Sequence, residues 1–105
     1  MNKQRLALLN QYLEESPNDP FTIYAIAMEY LEEDAQKALA YFELLIEKHP
    51  DYIATYYHLA NLYRDLGQAE KARLTYETGI DKALKSQDAL ALRELKNAYD
   101  EFMMD

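Results

Sequence analysis

The side chains that could do chemistry are few: two histidines, His49 and His58, two serines, Ser16 and Ser86, and an excess of carboxylates. There is no cysteine, so a thiolate nucleophile, a thiolate zinc site and a disulfide are all impossible. Ser16 and Ser86 fall in predicted loops, with no motif that would activate either hydroxyl. His49 is expected at a helix C-terminus, where the exposed carbonyls favour a cation. His58 has Asn61 three residues on but no histidine four residues on, so the sequence offers no zinc pair. Glu29, Glu32, Glu33 and Asp34 surround an expected turn, and a charge run there is a solvated face. Gly67 and Gly79 make no phosphate loop. The expectation is therefore no catalytic residue, no metal and no cofactor. An enzyme of unrecognised type would betray itself by buried titratable groups lying close together.

Recognition chemistry is better represented. Ten tyrosines, three phenylalanines and four methionines in 105 residues provide contact area at low entropic cost. The formal charge of −8, from 19 acidic against 11 basic residues, repels a phosphate backbone and an anionic membrane surface, so neither nucleic acid nor membrane is an expected partner. Lys3 and Arg5 precede Leu6-Ala7-Leu8-Leu9, but Asn10 ends that run short of a signal-peptide core. No stretch approaches the roughly 20 apolar residues that cross a bilayer. A cytoplasmic location is expected.

The elements that position these residues read as helices. With half the residues hydrophobic, only two glycines and only three prolines, the composition favours an all-α fold. From Tyr56 the apolar residues recur at 59, 60, 62, 63 and 66, one face of a helix that Gly67 ends. A second apolar stripe follows at once through Ala69, Ala72, Tyr76, Gly79, Ile80 and Ala83. Two helices so closely joined fold back as an antiparallel hairpin. The small residues at 60, 72 and 79 let the backbones approach. Gly79 costs about 1 kcal/mol against Ala inside a helix, which argues for a packing reason.

The hairpin is repeated. A shift of 33 residues superposes Thr22 on Thr55, Tyr24 on Tyr57, Ala27 on Ala60 and Tyr30 on Tyr63. A shift of 34 beyond the turn superposes Ala35 on Ala69, Lys37 on Lys71, Ala38 on Ala72, Glu43 on Glu77, Ile46 on Ile80 and Lys48 on Lys82. The same period carries Phe42 onto Leu9 and Pro50 onto Pro17, so residues 2–16 read as the second helix of a hairpin lacking its first. Each proline stops the preceding helix, and the neighbouring Asp or Asn is a candidate cap for the next. After Leu84 the register slips by two, and Leu92, Leu95, Ala98, Tyr99 and Phe102 mark a terminal capping helix over 88–103. The expectation is six helices, near 2–16, 20–33, 35–48, 52–66, 69–85 and 88–103. They form one domain over 1–105: an N-terminal half-repeat, repeats over 20–50 and 53–84, and the cap. Tyr30, Tyr56, Tyr63 and Tyr76 are expected to face the core.

Tyr56, Leu59, Ala60, Tyr63, Ala72, Tyr76 and Gly79, with Ile23, Ile26, Ala27, Tyr30, Ala38, Phe42, Leu45 and Pro50 in the earlier copy, resemble the tetratricopeptide repeat pattern. Ile23, Leu45, the shortened first turn and Leu84 in place of a proline depart from it. The resemblance implies an α-α superhelix of antiparallel hairpins whose first helices line a concave groove for a peptide or helix of a partner protein. It places Phe21, Tyr24, Met28, Leu31, Tyr57, His58, Asn61 and Arg64 on that groove, apolar in the first repeat and more polar in the second. Members that clamp a C-terminal carboxylate use Lys, Asn and Arg on three consecutive first helices. Here Tyr24 and Met28 stand where Lys and Asn are wanted, His58 stands where Asn is expected, and a third complete repeat is missing, which argues against that clamp. The expected function is a non-catalytic adaptor or scaffold. The alternative is self-association, a homodimer formed through the groove or an incompletely capped end. A further alternative for the site is that residues 2–16 or the capping helix cover these side chains.

Overall fold

A computed structural model describes residues 1–104, and among them every regular element is an α-helix. In chain order they are α1 (Lys3–Glu15), α2 (Pro20–Tyr30), α3 (Ala35–Lys48), α4 (Ala54–Asp65), α5 (Ala69–Ser86) and α6 (Ala89–Met104). Contacts group them into two compact units, Met1–Tyr52 and the part from Ile53 onward.

In the first unit α2 packs against α1 and α3. Asp19 caps α2, accepting from the Phe21 N–H (3.3 Å) and the Thr22 hydroxyl (2.6 Å), and Pro20 fills the first turn, where its missing N–H breaks no bond. Asp34 caps α3 by accepting from the Lys37 N–H at 3.1 Å. Asn2 does the same for α1 through Arg5 (2.9 Å). Ile23, Ile26, Phe42 and Leu45 are completely buried. Each contributes about 1.5–3 kcal/mol relative to an exposed side chain. Arg5 crosses from α1 to Glu29 on α2 at 2.5 Å, and the Asn2 N–H donates to the same carboxylate at 3.1 Å.

Two expectations fail in this unit. α2 ends at Tyr30, not near 33, because Glu32-Glu33-Asp34 turns the chain and Asp34 already serves as the cap of α3. Tyr30 is consequently half-buried, not in the core. As the last helical residue it has no further turn above it, and it stacks on Tyr41 (6.0 Å, 6° between planes) with the Lys37 ammonium over its ring at 5.2 Å.

In the second unit α4 and α5 form a hairpin and α6 packs on both. Gly67 (φ +77°) ends α4 in the left-handed region, and the Gln68 N–H closes onto the Tyr63 carbonyl at 2.8 Å while the Gly67 N–H closes onto Arg64 at 3.0 Å. Gly79 is buried where the helices meet: a Cβ there would lie 2.6 Å from the Tyr56 Cβ and 3.1 Å from a Leu95 methyl. Tyr56, Tyr63, Tyr76, Ala60, Ala72 and Leu95 complete the core.

Here too the structure corrects the sequence. No side chain caps α4, so neither Pro50 nor Asp51 is followed by the expected cap. The 33-residue period carries Asp19 onto Tyr52, which cannot accept as a carboxylate does. Thr55, the counterpart of Thr22, is accordingly buried with its hydroxyl unpartnered among the described residues. At the other end Ser86 lies in α5, not a loop. The helix closes only at Gln87 (φ 59°), from which the Asp88 N–H reaches back to the Ala83 carbonyl at 3.0 Å. A left-handed glutamine costs roughly 1 kcal/mol more than glycine there, and Asp88 then caps α6 through the Ala91 N–H (3.1 Å).

Candidate functional site

The eight side chains expected on the binding face divide equally between the two units. In the first, Phe21 is 61% exposed at the start of α2, while Met28 further along it and Leu31 just past its end are half-buried. Tyr24 is half-buried too, its ring edge-on to Phe42 (6.4 Å) and tilted against Tyr52 (5.8 Å). Part of its surface is therefore spent on packing. The Tyr52 hydroxyl is pushed up from its ordinary pKa by burial and by the nearby Asp19 carboxylate.

In the second unit three of the four converge. Tyr57, Asn61 and Arg64, spaced four and three residues apart, form one stripe of α4. They line a pocket of about 280 Å³ whose opposite wall is Glu94, Asn97, Ala98 and Glu101, a matching stripe of α6. The sequence reading placed none of these α6 residues in the site. Asn61 is fixed from behind, its side-chain oxygen accepting from the hydroxyl of the fully buried Tyr76. Burial opposes the charge of Arg64, but the Tyr76 hydroxyl, Asp65 (3.4 Å away) and Glu101 outweigh it and hold the guanidinium above its ordinary pKa.

His58 does not line this pocket, and its ring stands edge-on to Tyr57 at 5.1 Å. Burial lowers its pKa below the ordinary 6.5, partly opposed by Glu94. A histidine depressed by folding stays neutral while the unfolded chain takes up the proton. The stability it contributes is thus complete above pH 6.5 and is lost as pH falls toward the folded pKa. Thermal unfolding followed by circular dichroism should show the midpoint falling below pH 6.5, before the carboxylates of Glu29, Glu70 and Glu77, all held below their usual 4.5 by hydrogen bonds, begin to titrate. His58→Gln should flatten that first fall. An unchanged fall in the variant would assign it to another group.

A second depression of about 420 Å³ adjoins the first through Arg64 and is bounded by Ala69, Glu70, Arg73, Phe102 and Met103. Beside it Arg73 pairs with Glu70 and with Glu77 (3.0 Å), and Glu77 also accepts from the Tyr99 hydroxyl at 2.6 Å. Together the walls offer amides, two guanidinium groups, carboxylates and aromatic faces, which is the chemistry of recognition. Among the described residues no group of three or more His, Asp or Glu side chains could hold a metal ion, and no helix is long and apolar enough to cross a membrane.

The model of the tetratricopeptide repeat matches residues 29–101. The crystal structure of a tetratricopeptide repeat domain protein from Salinibacter ruber is 44% identical and superposes with a TM-score of 0.78 over 81% of this chain and 97% of that one. A solution structure of a tetratricopeptide repeat domain protein from the same organism gives 45% identity and a TM-score of 0.77 over 83% and 89% of the respective chains. No curated protein matches the sequence.

Proposed function

This chain belongs to the tetratricopeptide repeat family, whose fold generally serves protein interaction, and from that premise we propose that it is a non-catalytic adaptor that grips a peptide or helix of a partner protein. The observation that carries this reading is the pocket between α4 and α6. Tyr57, Asn61 and Arg64 project from α4 toward it at helical spacing, and Asn61 is held by a tyrosine from the core. A side chain positioned by buried partners presents its polar atoms without first losing rotamer freedom, which favours binding. Phe21 and Met28 on α2, with Leu31 just beyond its end, offer a second, apolar contact surface.

Tyr57→Ala tests the reading, because it removes the aromatic ring from the pocket wall without touching a fully buried position. In a pull-down from the native cell extract, the wild type should retain a partner that the variant loses, with both proteins equally helical by circular dichroism. Recovery of that partner at full strength by the variant would remove the pocket from the interface. Recovery of the chain's own copy as sole companion would favour self-association.

A further inference from the structure

The charged side chains on the two walls of the α4–α6 pocket have opposite hydrogen-bonding character. On α4 the Asn61 oxygen accepts from the Tyr76 hydroxyl behind it, the Asn61 NH₂ is a donor to the pocket, and Arg64 can only donate. On α6 stand the acceptor carboxylates of Glu94 and Glu101, two turns apart. Arg64 is the one cation in the lining and is shared with Asp65 at 3.4 Å, so the carboxylates facing it are incompletely neutralised. Tyr57 adds an aromatic ring to the same cavity. At about 280 Å³ the pocket lies at the small end of ligand sites, which run from about 300 Å³ upward, and it suits one side chain with its flanking backbone.

Resting on the interaction reading above, we propose that this pocket receives an arginine of an extended partner segment, its guanidinium against Glu94, Glu101 and the Tyr57 ring, and its neighbouring backbone carbonyls against Asn61 and Arg64. The planar fork of a guanidinium matches carboxylates and stacks on an aromatic ring, which an ammonium does less well. The formal charge of −8 draws a basic segment toward the chain and repels an acidic one. Against a carboxylate ligand, the two glutamates of α6 would be repulsive.

The test uses the full chain, labelled with ¹⁵N, and three capped alanine-glycine peptides of equal length that differ only in a central arginine, lysine or glutamate. With the arginine peptide, the backbone amide of Tyr57 and the side-chain NH₂ groups of Asn61 and Asn97 should shift progressively. The double variant Glu94→Gln/Glu101→Gln, at exposed positions that leave the core intact, should weaken that titration about tenfold. Equal or stronger binding of the glutamate or lysine peptide, an undiminished titration in the double variant, or no shift at millimolar arginine peptide would each overturn the proposal. The reading beneath it is tested separately. A native partner lost by Tyr57→Ala but retained by the double variant would overturn the arginine and leave the adaptor standing, whereas a partner retained by both would remove the pocket from the interface and overturn the arginine with it.

Discussion

Tyr76→Ala should lower the stability of the fold by about 3–5 kcal/mol, a large part of the roughly 5–15 kcal/mol that separates a native domain from its unfolded chain. Tyr76 is wholly buried, and its ring packs on Tyr99 (5.9 Å) and Phe102 (5.4 Å), so truncation leaves a cavity among α4, α5 and α6 that flanking helices cannot fill without moving. Urea unfolding followed by circular dichroism would measure the change, and a loss below about 1 kcal/mol would mean that the second unit is not tightly packed around this ring. Tyr76→Phe separates packing from orientation. It keeps the ring and removes the hydroxyl that holds Asn61, so its stability cost should be only about 1 kcal/mol, while affinity at the α4–α6 pocket falls because Asn61 is free to turn. A Phe variant that bound as tightly as the wild type would show that Asn61 needs no such support.

Gly79→Ala should also destabilise, although alanine is the better helix former by about 1 kcal/mol. The new methyl would sit 2.6 Å from the Tyr56 Cβ, closer than such carbons ever approach, and that carbon is fixed to the backbone of α4. Relief requires α4 and α5 to separate, and overpacking of this kind costs about 1–3 kcal/mol, enough to reverse the gain in propensity. Gly79→Val should be worse still. Gly67 provides the contrast: a Cβ there meets nothing within 4 Å, so Gly67→Ala pays only for the left-handed backbone, about 1 kcal/mol, and Gly67→Asn less. If Gly79→Ala raised the urea midpoint, the close approach of the two helices would be disproved.

The six helices and the two glycine roles were legible because period and small-residue placement act locally. Tyr56, Leu59, Ala60 and Tyr63 repeat at helical spacing, and no other element could use them so well. What the repeat could not transmit were departures from its own symmetry. Tyr30 reads as core by analogy with Tyr63, but α2 ends at Tyr30 itself, whereas α4 runs two residues past Tyr63. Tyr52 inherits the place of Asp19 without its capping chemistry, and Gln87 adopts a left-handed conformation that nothing in its side chain announces. The site was half legible for a related reason. Tyr57, Asn61 and Arg64 could be found by following the repeat along α4, and α6 was recognisable as a cap from Leu95 and Ala98. The two-residue slip before α6, however, breaks the correspondence that would have carried Glu94, Asn97 and Glu101 onto a known wall.

The pattern of helix packing within each unit also bears on how quickly the chain reaches this state. The most extensive contacts join α2 to α3, α4 to α5 and α5 to α6, each pair adjacent in the chain and linked by a short turn. Closing such short loops costs little chain entropy, and topologies dominated by sequence-local contacts cross their folding barrier in microseconds to milliseconds. Hairpin formation around Gly67 can proceed before any distant segment has been synthesised or found. The docking of α6 on α4, which assembles the pocket, spans a longer stretch of chain than these pairings and so carries a larger loop-closure cost.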